Sequence, residues 1–340
     1  PVDLKRRHGR SRWPDAVPGM RWIAIRLVSR LDDVANFLPF FLSFLWTAIR
    51  FRPCIIHVNN EPLCNRAAVV AGKLLGIPVV AHVRGDQQGS RSMAWLFRLP
   101  DHFIPVSRWI SESIGRLGVP PDKRTYIYDG IELQNLDLHA DGSGFRRQHR
   151  IPEDAFVVGL VGLLMPWKGQ RLFVDAARRL ISHMPEAVFA LVGGTPEECT
   201  AYEQELRELA LHPDLKGRLF FTGHVKDMPA AYNGLDVVVS ASVSPEPLGT
   251  MIIESMAMAR PLVAPAHGGA LEMVENGATG LLFEPGNAVS LADAILALYR
   301  DPNLRSRLGT AARAHALKTF SVEDHVRQVE QVYRAILSTH

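Results

Sequence analysis

Hydrophobic positions along the chain fall into short β-branched runs separated by longer stretches of helical period. The first series is CIIHVNN (54–60), PVVAHVRG (78–85), HFIPVS (102–107) and RTYIYDG (124–130), with helices expected over 67–75 and 109–117. The second is AFVVGLVG (155–162), AVFALVGG (187–194), RLFFTGHV (218–225), DVVVSAS (236–242), PLVAPA (261–266) and GLLFEP (280–285). Helices are expected there over 170–182, 196–211, 228–235, 250–258 and 291–299. Runs of strand length alternating with helices predict parallel strands joined by helical crossovers. Polar, Gly-containing DLHADGSGFRRQH (137–149) reads as a linker between the two series. The expected domains are therefore 1–150 and 151–318, followed by a terminal helix over 319–340. Ser321 and Asp324 suggest a capping box for that helix, and Val326, Val329, Tyr333, Ile336 and Leu337 lie on one of its faces. The fold class is α/β, with two Rossmann-like doubly wound domains. No G-x-G-x-x-G follows a strand of the second series, which disfavours a dinucleotide-dependent dehydrogenase.

The stretch before residue 54 has a different pattern. Residues 34–49 carry no charge and include Phe37, Phe40, Phe41, Phe44 and Trp46. They are short of the ~20 residues of a bilayer span, and Pro39 interrupts them. The stretch reads as a buried helix flanking a sheet. The alternative is a monotopic membrane contact, helped by Arg21, Arg26, Arg30, Arg50 and Arg52 on either side.

Charge changes the picture more than composition does. At 340 residues with 47% hydrophobic and 21% charged positions, the chain has room for two ordinary cores. Residues 1–150 carry 22 Lys and Arg against 13 Asp and Glu, while residues 151–340 carry 16 against 22. The basic half, which includes KRRHGRSR (5–12), suits an anionic surface such as phospholipid headgroups. Without a nucleic-acid motif, nucleic acid is not an expected partner. Three cysteines lack C-x-x-C spacing and no H-E-x-x-H occurs, so neither disulfide nor zinc is expected. A cytoplasmic location is expected, with peripheral contact to the inner face of the membrane as its extension.

The candidate chemistry sits at 240–286. DVVVSAS leads through SPEPLG into the apolar stretch TMIIESMA, with Pro245, Pro247 and Gly249 in the turn. A strand–turn–helix junction presents free N–H groups and the positive end of a helix, a setting for phosphate. Glu246 and Glu254 bracket it. Carboxylates repel phosphate but accept hydrogen bonds from hydroxyls, so a ligand with a central phosphate and hydroxyls on both sides fits. A nucleotide sugar has that shape. The plainer alternative makes Glu254 a solvated acid favoured by the helix dipole and Glu246 an ordinary loop acid.

Two Glu separated by seven residues, the first followed by Pro-Leu-Gly, resemble the signature of the family 4 glycosyltransferases. The segment PLVAPAHGGALEMVENGATGLLFEPG (261–286) is similar to the same family's next segment, and the resemblance runs at least from 54 to 333. It implies the GT-B fold, two Rossmann-like domains facing a central cleft, and transfer of a sugar with retained configuration. The donor implied is a nucleoside-diphosphate sugar, most commonly of UDP, and the acceptor a glycan or lipid-linked molecule in cell-surface polysaccharide or glycolipid synthesis. In that pattern Glu246 accepts from sugar hydroxyls and Glu254 from the ribose diol. Lys168 meets the diphosphate, together with the amides around Leu248, Gly249, Thr250 and Met251, and Val225 offers backbone groups to the base. No D-x-D occurs, so neither metal nor other cofactor is expected.

Three departures accompany the likeness. Leu163 stands where the family usually has an Arg on the diphosphate. Arg84 stands where a His is commoner, with His82 two residues earlier on the same strand face, and both are candidates for the donor or acceptor side. Arg84 is the candidate replacement cation. The Gly-rich turn and first strands of the amino-terminal domain are not found, which resembles a member missing its first elements. A nucleotide-sugar epimerase of the same fold and a non-catalytic nucleotide-sugar-binding relative are the alternatives in other classes.

Overall fold

The computed structural model describes residues 20–86 and 91–339. Basic residues 5–12 lie outside them. Two units divide the chain. The first comprises the described residues up to Pro105, with Ser111–Thr125 and the last residues from Gln331; the second comprises Val106–Ile110 and Tyr126–Glu330.

The first unit holds a parallel sheet of β1 (Ile56–Asn59), β2 (Val79–Val83) and β3 (His102–Pro105), in that order. All five residues of central β2 are buried, as expected of a parallel strand covered on both faces. Helix α1 (Met20–Phe51) precedes the sheet and α2 (Arg66–Leu75) crosses between β1 and β2. Two expectations change here. RTYIYDG forms a single bridge, Arg124 to Phe103, and then leaves the sheet. From residue 35 on, α1 is covered on one side only: Ala48 is buried and Phe37, Phe41, Phe44 and Leu45 are half-buried, while Phe40, Leu42, Ile49 and Trp46 are exposed, Trp46 at 66% and Phe51 at 78%. Pro39 lies within the helix without ending it. Among the described residues no helix is long and apolar enough to cross a membrane.

The second unit is built on six parallel strands: β4 (Phe156–Val161), β5 (Ala187–Val192), β6 (Leu219–Gly223), β7 (Val237–Val239), β8 (Leu262–Pro265) and β9 (Leu281–Phe283). Their order across the sheet is β6-β5-β4-β7-β8-β9. Successive residues supply opposite faces, so Val157, Val188, Val238 and Leu262 enter one core while Val158, Phe189, Val239 and Val263 enter the other. After β3 come α3 (Arg108–Arg116), α4 (Gly142–Gln148), α5 (Gln170–Leu180), α6 (Thr200–Ala210), α7 (Met228–Asn233), α8 (Thr250–Ala257), α9 (Ala270–Met273), α10 (Ala288–Arg300), α11 (Pro302–Thr319) and α12 (Val322–Leu337).

The stretch expected as a linker is part of this unit. Asp141 caps α4 by accepting from Gly144 N, Phe145 is buried in the core, and Arg146 pairs with Asp236 at 2.8 Å. One buried aromatic and one ion pair hold a segment whose polarity suggests a tether.

Candidate functional site

Strand order fixes where a ligand can sit. Counted within its own unit, the six-stranded sheet runs 3-2-1-4-5-6, and the winding direction reverses between β4 and β7. At such a switch point the loops leaving the two strands turn to opposite faces and leave a crevice at their carboxyl ends. The loop after β4 carries Lys168 and the loop after β7 carries Glu246.

Close backbone contacts lock these loops together. Gly169, at φ +75°, packs against the carbonyl of Ala241, where an added Cβ would lie 1.9 Å from the oxygen. Val243 N donates to Trp167 O at 2.9 Å. Behind Glu246, Gly269 N donates to its carbonyl at 2.8 Å, and a Cβ at Gly269 would lie 2.5 Å from Pro247 O. The backbone around the carboxylate is therefore fixed on both sides.

Lys168 Nζ donates to Glu246 Oε2 at 2.7 Å and lies 4.4 Å from the centre of the Trp167 ring. Both members of the pair are largely shielded, with side-chain exposures of 17% and 15%. Ser242 Oγ donates to the other oxygen, Glu246 Oε1. His267 Nε2 meets Ser242 O at 3.0 Å, so this nitrogen carries the proton. A recess beside the pair is lined by Ser240, Ser242, Glu246, Gly249, Ile252 and His267.

Helix α8 opens at Gly249 without a side-chain cap, and its first turn holds no acid. The amides of Gly249, Thr250 and Met251 lie before the first i→i−4 bond and point out of the helix end. Leu248 packs partly on the core behind them. Five residues into the helix, Glu254 is mostly buried and accepts from the Tyr232 hydroxyl at 2.8 Å. Burial pushes its carboxyl above the ordinary range, and the Tyr232 hydrogen bond pulls it partly back. The reading of Glu254 as a solvated acid is therefore corrected.

Other candidates lie further out. Val225 follows β6, two strands from β4, and its side chain packs on the core. Leu163 is 49% exposed, and its carbonyl accepts from Gln170 Nε2 at 2.8 Å. In the first unit, Arg84 follows β2 and donates to Asn59 Oδ1 at 2.7 Å. His82 is 3% exposed with its ring edge-on to His57, which leaves Arg84 as the more accessible of the two. Among the described residues no cluster of three or more His, Cys, Asp or Glu could hold a metal ion.

Tyr232, Ser242, Trp167 and His267 escaped the sequence reading. Only the placement of Ser242 just after an apolar strand, beside the motif, offered a signal. Tyr232 in MPAAYN is indistinguishable by pattern from a core aromatic.

A sheet of this order, with a cation and a carboxylate at its switch point and an uncapped helix end beside them, has the layout of an α/β protein that binds a ligand at the carboxyl ends of its strands. The profile described as Glycosyl transferases group 1 matches residues 143–315, and that described as Glycosyltransferase Family 4 matches residues 7–135. The chain belongs to the group 1 glycosyl transferases, is of the family 4 type, and has the GT-B fold. It is 27% identical to the lipopolysaccharide core biosynthesis mannosyltransferase LpsB of Rhizobium meliloti, over 87% of this chain and 84% of that protein. It is 33% identical to the D-inositol 3-phosphate glycosyltransferase of Kribbella flavida, over 60% of this chain but only 49% of that protein. The crystal structure of Anabaena HepE in complex with UDP superposes with a TM-score of 0.82 at 26% identity, covering 89% of this chain and 84% of that one. Of the classes open from the sequence, glycosyl transfer is therefore the one the chain belongs to.

Proposed function

We propose that the protein transfers a sugar from a UDP-sugar to a glycan or lipid-linked acceptor, with retained anomeric configuration and without a metal ion. The observation that carries this reading is the pairing of Lys168 with Glu246 at the switch point, beside the open end of α8. Separated by a ligand, the ammonium and the helix amides meet the diphosphate, while Glu246 turns to the sugar hydroxyls and Glu254 to the ribose diol. Charge developing on the leaving diphosphate falls on groups already oriented for it, where preorganised donors are most effective. Retention follows if the acceptor attacks from the face the diphosphate leaves, since no carboxylate of the pair is free to act as a nucleophile. HepE, crystallised with UDP and with UDP-glucose, favours uridine as the base. LpsB and the capsular polysaccharide glycosyltransferase CapM of Staphylococcus aureus favour a cell-surface product. A thermal-shift panel of UDP, GDP, ADP and their sugars in excess EDTA tests the reading, because selective binding raises the melting temperature. Stabilisation by UDP and UDP-sugars is expected. No response to any nucleoside diphosphate overturns the donor, and a response only with added magnesium overturns the metal-free site.

The partner surface is proposed to be an anionic membrane, met from the cytoplasmic side by α1. Its exposed Leu38, Phe40, Leu42, Trp46, Ile49 and Phe51 form an apolar stretch ending in exposed Arg50 and Arg52. Apolar insertion with flanking cations suits an interfacial helix. The side chains of Arg21, Arg26 and Arg30 lie outside the description. Co-sedimentation with phosphatidylglycerol vesicles, reversed by high salt and weakened in Trp46→Ser, is expected. Equal binding to phosphatidylcholine vesicles, or none to either, contradicts it.

A further inference from the structure

We propose that Tyr232 is a positioning residue of the donor site, its hydroxyl holding one oxygen of Glu254 so that the other faces a ribose diol. The inference rests on the ribose assignment of Glu254 made above. Tyr232 sits in α7, a single turn and a half capped by Asp227, whose carboxylate accepts from Ala230 N at 3.0 Å. The Tyr232 side chain is fully buried among Ala230, Ala231, Met251 and other apolar neighbours of one core. Phenylalanine would suit that setting without a polar group to satisfy. The hydroxyl instead reaches across to α8, 2.8 Å from Glu254 Oε2 and 3.4 Å from Met251 O.

That contact does two things. It fixes the carboxylate's rotation, because Oε2 is committed to an atom held by a rigid ring, and Oε1 is left for a ligand hydroxyl. It also favours the charged carboxylate against a burial that disfavours it. Among the described residues Tyr232 is the titratable group that acts on Glu254; burial and the neighbouring carboxylate push its own hydroxyl well above the ordinary range, so it remains a donor at any working pH. A charged acceptor makes the stronger hydrogen bond to a hydroxyl. Ribose recognition is thus built from two helices, with the motif residue supplying the contact and a core tyrosine setting its angle and charge.

Calorimetric titration with UDP and with 2′,3′-dideoxy-UDP separates positioning from packing. Tyr232→Phe should weaken UDP about three- to tenfold, on the scale of one ordinary hydrogen bond, and leave the dideoxy ligand within roughly twofold. Its acid limb for UDP binding should move to higher pH. Tyr232→Phe combined with Glu254→Gln should weaken UDP no further than Glu254→Gln alone, as coupled sites do. Site-specific 3-fluorotyrosine at 232, a stronger donor of nearly the same shape, should move the acid limb to lower pH and covers a failure of the phenylalanine variant to fold. Equal loss of both ligands in Tyr232→Phe, no loss of either, or an unmoved limb in both variants overturns the proposal. Should Glu254→Gln itself weaken both ligands equally, the ribose assignment is what fails, and the proposal goes with it. Discrimination by Glu254→Gln without discrimination by Tyr232→Phe removes the proposal alone.

Discussion

Two carboxylates stand at the ends of one eight-residue interval, and their surroundings differ in nearly every respect. Glu246 lies in a turn, pinned by Gly269 behind it, and meets a cation and a hydroxyl in front. Glu254 lies inside a helix, mostly buried, and meets only the phenol of a core tyrosine. A charge beside a cation can be handed to a ligand when the cation is drawn away. A charge held by a neutral donor keeps that donor and accepts one partner more. On the proposed donor orientation, the same residue type would serve an exchange in one place and a fixed contact in the other. Spacing in the sequence shows the pair but not this division.

The comparison breaks most visibly at its cation. Lys168→Ala removes the group proposed to move between Glu246 and the diphosphate, and transfer should fall about 10²- to 10³-fold, the range for losing one preorganised electrostatic contact in a reacting site. Steady-state rates with UDP-sugar check this, and a loss below threefold places the diphosphate elsewhere. Next in size is Glu246→Gln, expected to slow transfer roughly 10- to 100-fold, since a charged acceptor is worth about 1.5–3 kcal/mol. It also releases Lys168 in the free protein, so bare UDP should bind as well as to the wild type or better. Glu254→Gln is expected to weaken UDP and UDP-sugar alike by about tenfold, from the same scale of hydrogen bond. If calorimetry finds that Glu246→Gln loses bare UDP while Glu254→Gln keeps it, the two roles are reversed.

The smallest effect concerns stability. Glu254 has a raised pKa in the folded chain, so between the ordinary carboxylate range and that raised value the native state binds more protons than the unfolded state. Stability then falls as pH rises through this window. Glu254→Gln cannot titrate and should lack that slope. Across the acid to neutral range the wild-type melting temperature should fall relative to that of Glu254→Gln as pH rises, and parallel curves would show that burial does not govern this acid.

Much of this was legible in the chain. Nine of the ten expected strands form, and seven of the nine expected helices lie within three residues of their expected places where strong apolar periods mark them; the helix expected over 196–211 begins at Thr200, and 34–49 proved to be one end of a longer helix. Helix α11 escaped because its buried positions, Leu308, Gly309, Ala312 and Ala316, are mostly too small to show a period. Gly309 lies so close to another segment that an added Cβ would sit 2.3 Å from Ala259 O. RTYIYDG has a strand's composition, but pairing is a long-range property, and only Arg124 finds a partner there. In α1 the apolar content was legible while its exposure was not, because periodicity reports a face and says nothing of what lies against it. At the site, the motif residues Glu246, Glu254 and Lys168 were found by spacing. Their partners Ser242 and Tyr232 come from the next strand end and from a neighbouring helix, 4 and 22 residues away in sequence from the acids they meet.

The closed Lys168–Glu246 pair also bears on turnover. Each member is satisfied by the other at 2.7 Å, so an incoming molecule competes with an existing bond. An intact donor offers a replacement to both members, phosphate to the lysine and hydroxyls to the carboxylate. A spent nucleotide replaces only the first and leaves a shielded carboxylate without its counter-charge. On the donor orientation proposed above, the pair would act as a discriminator in time, tightening on the loaded molecule and letting go of the discharged one, so product inhibition should be weaker in the wild type than in Glu246→Gln.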